Sequence, residues 1–375
     1  METNPTKIQG FSKIGQGAMG VGGEFSKDPS QGSSHLAALR EGIEAGLTLI
    51  DTAEVYAEGF SEELVGVAIR NCRSEVFVAS KFSPQHSSYS QVISAVEGSL
   101  NRLGTDYIDL YQAHWPNPAI PIAETMGALD KLIEDGKILR VGVSNFNGRE
   151  FRAAAAVLNA PIFSNQVEYS LFDRFAEQDA LVTCLEKDAF LLAYSPLNKG
   201  RNVFSGKAQE VLESIALKHS ATVQQVQLSW LASRPAVTPI PKSTNLQRIR
   251  QNAAAMELQL GACDMAAIEE FCLIPTTFIP PSEIGVIPSE AGGRSVYSTL
   301  AEALDNKLEL APSPSELANF LLEGDPVKPV RVTRAESASG EKKYQLVEGR
   351  LRYWAFVIAF GDERAIPALV NESAA

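Results

Sequence analysis

The chain has 375 residues, 45% of them hydrophobic, a formal net charge of −12 and a pI near 5.0. That length fits one large domain or two, with enough apolar material for a sizeable core. The acidic balance excludes non-specific binding to nucleic acid or anionic membranes through bulk charge, though not a local basic pocket.

The N-terminus, METNPTKIQG, lacks the apolar segment of a signal peptide. No run reaches the ~18 apolar residues of a membrane helix, so a soluble, cytoplasmic protein is expected. Cys72, Cys184, Cys263 and Cys272 form no CxxC pair and have no histidine at metal-ligand spacing. They read as single buried thiols in a reducing compartment, with no metal site.

Strand-like apolar runs recur over the first two thirds of the chain. A short one lies near 12–15, followed by 47–51, 76–82, 107–114, 139–144, 162–169, 190–195 and 237–242. They are rich in Val, Ile, Leu and aromatic residues without clean alternation, as strands covered on both faces are. Helix-like segments lie between them at 33–45, 61–71, 90–102, 122–135, 176–187 and 221–232, several opening at Ser or Thr. Eight βα units in about 250 residues predict an α/β fold of the (β/α)8 TIM barrel type. A doubly wound open sheet competes, but no GxGxxG opens a first helix.

After residue 272 the plan changes. Pro275, Pro280, Pro281 and Pro288 mark 273–288 as an extended linker. Residues 289–375 then read as a second, small α+β domain: a helix at 315–322, a strand at 329–334, a turn at 336–343, a strand at 344–348, a helix at 350–359 and a closing strand at 366–370. The first domain is 1–272.

Four residues stand at successive strand ends of the first domain: Asp51, Tyr56, Lys81 and His114. The C-terminal ends of the strands are where a TIM barrel places its chemistry. Carbonyl reduction needs a hydride from one side and a proton from the other. Tyr56 can supply the proton, but a free phenol titrates near 10, too high for efficient transfer at neutral pH. An ammonium at Lys81 is expected to lower that value, with Asp51 holding Lys81 by a charge-assisted hydrogen bond. His114 can donate to the substrate oxygen. Each residue alone also has a plain structural explanation. Their joint placement is what points to catalysis.

With these four, the motifs GVSNF (142–146), SNQVEYS (164–170), YSPL (194–197) and IPKS (240–243) give residues 1–272 a resemblance to the aldo-keto reductase family. The resemblance implies a barrel that binds NADP(H), or less often NAD(H), without a Rossmann domain, and that reduces an aldehyde or ketone to an alcohol. Tyr56 would be the general acid, with Lys81, Asp51 and His114 in the roles above. Ser144, Asn145 and Gln166 would hydrogen-bond the nicotinamide carboxamide, and Tyr194 would stack on its ring. Ser195 and Leu197 would line the pyrophosphate path. Lys242, Ser243 and Arg248 would face a 2′-phosphate, which favours NADP, and Asn252 would face the adenine. The residue before Asn252 is often Glu in the family; here it is Gln251, which keeps a hydrogen-bonding group and loses a charge. Met19 and Trp115 would wall the substrate pocket and suit a small-molecule carbonyl with apolar surface.

The segment YQLVEGRLRYWAF (344–356), with PVRV before it and IPALV after it, resembles the ParB/sulfiredoxin-like fold. By that resemblance Glu348, Gly349, Arg350 and Arg352 would form a phosphate-gripping turn for a nucleotide such as ATP or CTP. The sulfiredoxin-type cysteine is absent, Gly349 standing before Arg350, so sulfinic acid reduction is not expected. Nucleic acid is not an expected partner either. Two functions follow: an NADP(H)-dependent carbonyl reductase with an appended nucleotide-sensing or interaction domain, or an NADP(H)-binding regulatory or scaffold protein with little turnover.

Overall fold

A computed structural model describes residues 7–8, 10–24, 26–201, 204–286, 297–310, 312–335 and 342–371. They fall into two compact units, one within 1–202 and 207–272, the other within 203–206 and 273–375.

The first unit is a (β/α)8 barrel. Its strands are β1 (Gln16–Gly17), β2 (Leu49–Asp51), β3 (Phe77–Phe82), β4 (Leu110–Ala113), β5 (Val141–Ser144), β6 (Ile162–Glu168), β7 (Phe190–Tyr194) and β8 (Val237–Pro239). All neighbours pair in parallel, in sequence order. Gly15 N–H donates to Pro239 O at 2.9 Å and Gly17 N–H to Pro241 O at 3.0 Å, which closes β1 onto the β8 side. A Cβ at Gly15 would sit 2.8 Å from Ile240 Cγ2, so this seam closes only over a glycine. The first strand therefore lies after 12–15, where the sequence placed it. Phe11–Ser12 instead pairs antiparallel with Lys7–Ile8.

Phe11 sits over the N-terminal end of the barrel with Phe77, Phe163 and Phe190, its ring centroids 4.9, 6.0 and 5.6 Å from theirs. The Arg140 guanidinium lies 5.3 and 5.2 Å from the Phe77 and Phe163 rings. This apolar plug fills one end, so polar groups carried on the strands gather toward the other.

The surrounding helices are α1 (Gly32–Glu44), α2 (Phe60–Ile69), α3 (Tyr89–Leu103), α4 (Ile122–Glu134), α5 (Gly148–Val157), α6 (Ala180–Glu186), α7 (Gly206–Lys218), α8 (Val223–Ala232), α9 (Leu246–Ala254) and α10 (Ala262–Phe271). Capping boxes start α5 at Asn147 and Glu150, and α8 at Thr222 and Gln225. Of the four cysteines, only Cys184 and Cys272 are buried. Cys72 is half-buried and Cys263 is exposed on the first turn of α10, contrary to the expectation of buried thiols. No helix among the described residues is long and apolar enough to cross a membrane.

The second unit is a mixed five-stranded sheet of β9 (Thr277–Ile279), β10 (Ile284–Gly285), β11 (Val330–Arg334), β12 (Tyr344–Glu348) and β13 (Ile366–Asn371), in the order β9-β13-β11-β12-β10. Helices α11 (Leu300–Leu304), α12 (Pro314–Leu322) and α13 (Arg350–Phe360) accompany it. The segment read as a linker thus supplies two strands. Ile279 and Ile284 are buried in this unit's core with Val330, Val332, Tyr353 and Ile366, while Pro280 and Pro281 occupy the turn between the strands. An apolar residue on either side of the proline pair anchors what composition alone marks as extended. Residues 287–288 of that segment and 336–341 of the expected turn lie outside the described residues.

Asp264, buried in the first turn of α10, accepts from Gly261 N at 3.1 Å, Lys218 Nζ at 2.7 Å and His219 Nε2 at 2.8 Å. Burial works to raise its pKa, but the Lys218 and His219 hydrogen bonds reverse this and bring it from 3.8 to about 2. A depressed folded-state value gives stability that is complete above the unfolded pKa and is lost as pH falls through the folded one. Asp264→Asn should therefore lower the thermal midpoint at pH 7. The gap to wild type should shrink as the pH falls from about 4 toward 2, read by circular dichroism melts.

Candidate active site

Asp51 ends β2, Lys81 is the fifth residue of β3, and His114 follows β4; Tyr56 opens a 3-10 turn five residues past Asp51. The barrel brings all four together. Lys81 is fully buried and its Nζ donates to Asp51 Oδ2 at 2.8 Å, Thr52 O at 2.8 Å and Tyr56 Oη at 3.3 Å. An ammonium has three donors, and all are used here. Because Tyr56 Oη accepts from Lys81, its own proton remains available to a third group. The His114 ring meets the Tyr56 ring edge-on with centroids 5.8 Å apart.

Burial opposes charge on Lys81, but the Asp51 carboxylate and the Tyr56 oxygen outweigh it and hold the pKa above the ordinary lysine value. Tyr56 behaves differently from the sequence expectation. Lys81 does pull its pKa down, yet burial pushes harder and Asp51 adds to the push, so the phenol titrates above 10.0. Burial first, and the Asp51 counter-ion after it, outweigh the ammonium.

A second hydrogen-bonded group adjoins the first. Asn145, at φ +62°, donates from its backbone N to Gln166 O at 2.9 Å, and Ser144 Oγ donates to the same oxygen at 2.9 Å. Asn145 Nδ2 donates to His114 O at 3.0 Å, and Tyr194 Oη donates to Asn145 Oδ1 at 3.0 Å. Gln166 Nε2 donates to Asp51 Oδ1 at 2.7 Å. The residues expected around a nicotinamide are therefore joined directly to the proton-bearing ones. The Gln166–Asp51 contact spans 115 residues and no motif announces it.

Further round the rim, Ser195 adopts φ +50°, and Leu197 packs half-buried against a cluster that includes Ile14, Leu228 and Ile249. Asn245 caps α9 by accepting from Arg248 N at 3.0 Å, and Ser243 Oγ accepts from Asn245 N at 3.1 Å. Lys242 and Arg248 are exposed and have no acidic partner among the described residues; Gln251 is half-buried and Asn252 buried. The Lys242 ammonium lies 3.4 Å from where a Cβ on Gly20 would stand. Beside it is a residue the sequence reading missed: buried His35, whose Nδ1 accepts from Gly22 N at 2.8 Å. Burial and Lys242 push its pKa down. Met19 and Trp115 are both exposed.

Residues 13–272 match the aldo/keto reductase family. The chain belongs to that family. It is 39% identical over 259 residues to the methylglyoxal reductase YeaE of Escherichia coli, covering 68% of this chain and 89% of that protein. Among solved structures it resembles the thermostable aldo-keto reductase Tm1743 in complex with the inhibitor epalrestat, with a TM-score of 0.68 and 38% identity over 71% of this chain and 98% of that one. It also resembles a Klebsiella pneumoniae aldo/keto reductase in complex with NADP and acetate, with a TM-score of 0.64 and 37% identity over 69% of this chain and 91% of that one. The family match ends at the boundary of the barrel unit.

In the second unit, Glu348 ends β12 and accepts from buried Arg331 Nη1 at 2.7 Å. Gly349 follows at φ +95° as the residue before α13, and a Cβ there would meet Arg352 Nη2 at 2.8 Å. Arg350 Nη1 is enclosed with no hydrogen-bond partner among the described residues, and burial lowers the Arg350 pKa.

Removing one member of a buried ion pair strands the other, at a cost of about 3–5 kcal/mol. Asp51→Asn should lose stability of that order in urea denaturation. The double variant Asp51→Asn, Lys81→Met should recover much of it.

Proposed function

We propose that this chain is an NADP(H)-dependent reductase of aldehydes or ketones, acting in the cytoplasm, with Tyr56 as the general acid. The observation that carries this reading is the hydrogen bond from Lys81 to Tyr56 Oη. It leaves the phenolic proton free and sets a cation against the phenolate that forms when the proton leaves. His114, beside the Tyr56 ring, orients the carbonyl oxygen. Asp51 keeps Lys81 charged and in place. Because Tyr56 titrates above 10.0, the acid form is present throughout the neutral range.

The donor set fits the cofactor. Ser144, Asn145 and Gln166 would hold the carboxamide, and Tyr194 offers a flat aromatic face. Ser195 and Leu197 would follow the pyrophosphate. Lys242 and Arg248, beside the α9 start and without an acidic partner among the described residues, suit a dianionic 2′-phosphate, with Ser243, Gln251 and Asn252 nearby. When bound, the reduced nicotinamide supplies the hydride. The crystallised relative with NADP supports this assignment, and the relative named a methylglyoxal reductase puts small aldehydes first in a substrate panel. Met19 and Trp115 would wall the carbonyl pocket.

For the second unit we propose a ParB/sulfiredoxin-like domain in which the Gly349–Arg352 turn takes a nucleotide phosphate; the enclosed Arg350 Nη1, without a hydrogen-bond partner among the described residues, supports it. ATP or CTP titrated into the full chain should give a calorimetric binding signal that Arg350→Ala abolishes.

For the barrel, Tyr56→Phe should reduce kcat by roughly 10²- to 10⁴-fold while NADPH still binds, as followed by nicotinamide fluorescence. Wild-type kcat/KM for reduction should stay level through neutral pH and decline only above 10.0, because the raised pKa keeps the proton on Tyr56 until then. A wild-type protein that binds NADPH but oxidises none of it across the panel would favour the regulatory or scaffold alternative.

A further inference from the structure

The turn that carries Tyr56 is held from outside the proton-transfer group. Two residues before Tyr56, the Glu54 carboxylate Oε1 accepts from Ser83 N–H at 2.6 Å and lies 2.8 Å from His86 Nδ1. The Glu54 backbone N–H donates to Lys81 O at 3.1 Å, and Tyr56 N–H donates to Ala53 O at 3.1 Å. Glu54 therefore fastens the loop after β2 to the end of β3 through its main chain and to the loop after β3 through its side chain.

That fastening is needed. Immediately after Tyr56, Ala57 and Glu58 adopt φ values of +50° and +56°, a region that side chains other than glycine enter only when their surroundings dictate it. Ala57 is fully buried, while Glu58 beside it is exposed. On the Glu54 side, a cleft of about 370 Å3 is lined by Glu54, His86, Gln91, Ser94 and Arg102. The Glu54 side chain is only 9% exposed, against 46% for His86, so the carboxylate sits on the inner side of this cleft where the two loops meet.

We infer that Glu54 is a positioning residue for proton transfer: by accepting the Ser83 N–H it sets the turn that holds the Tyr56 hydroxyl against Lys81. This rests on the reading that Tyr56 is the general acid. The acceptor oxygen matters more than the charge, so Glu54→Gln, which keeps that oxygen in the same place, should be a mild change.

The test is steady-state kinetics with NADPH and the best carbonyl of the panel, at a temperature where circular dichroism shows each variant fully folded. Glu54→Ala should lower kcat about 10- to 100-fold, with KM for the carbonyl and Kd for NADPH within about twofold of wild type, the effect of a misplaced acid rather than a lost binding contact. Glu54→Gln should stay within about threefold of wild type. Ser83→Pro deletes the donor at a φ of −72°, which proline adopts, and should reproduce the kcat loss even where Glu54→Ala folds poorly. Wild-type kcat in Glu54→Ala or Ser83→Pro, a loss confined to KM, or an equal loss in Glu54→Ala and Glu54→Gln would overturn the inference. Absence of turnover in the wild-type protein would instead strike the carbonyl-reductase reading itself.

Discussion

The buried pair of Lys81 and Asp51 is the constraint around which the barrel's open end is arranged. A fully buried ammonium is tolerated only when every donor is satisfied and a counter-charge is in contact. Here Asp51 Oδ2, Thr52 O and Tyr56 Oη take the three protons. Each comes from β2 or the loop after it, so Lys81 fixes where that loop leaves the barrel. The second Asp51 oxygen is taken by Gln166 from β6, which ties the pair to the far side of the barrel. A charge that would be costly by itself thus determines the placement of three strand ends.

The same pair explains why Tyr56 is not a ready phenolate. An isolated ammonium 3.3 Å away would draw the phenol pKa down, but burial disfavours the anion and the Asp51 carboxylate adds to that. In the proposed role of proton donor, this balance is useful. The ground state keeps the proton, and the cation is already in place when negative charge develops on Oη. Stabilisation that appears only as the bond breaks lowers the barrier, whereas a low ground-state pKa would merely deplete the acid.

Much of the barrel was legible because parallel strands buried on both faces are apolar runs, and because polar residues closing such runs fall at the end where a barrel does chemistry. Asp51, Lys81 and His114 are all of this kind, and the structure brings them together with Tyr56. What escaped has physical reasons. The first strand is two residues long and its placement depends on how closely Gly15 approaches Ile240, a tertiary fact. The 277–285 strands are too short and too interrupted by proline to register as strands, and they exist because Ile279 and Ile284 find a core. The sign of the Tyr56 shift depends on a competition between burial and two opposite charges, and no motif encodes its outcome. Gln166 and Asp51, or Glu54 and Ser83, meet only after the chain has closed.

The second unit poses a different balance among three arginines. Arg331 is buried, but Glu348 neutralises it, so that pair needs nothing further. Arg352 folds back over Gly349, which sits at φ +95°. Arg350 has an enclosed Nη1 without a hydrogen-bond partner among the described residues, and an unmet buried donor costs on the order of 1–3 kcal/mol. Gly349 also brings no side-chain oxygen to the first N–H groups of α13, as a Ser or Asp in its place would. In the proposed nucleotide-binding role, an anion at this turn would meet both the Arg350 Nη1 and these N–H groups. The chemistry proposed for the barrel draws on neither group, so a ligand here would be distinct from the barrel's substrate and cofactor.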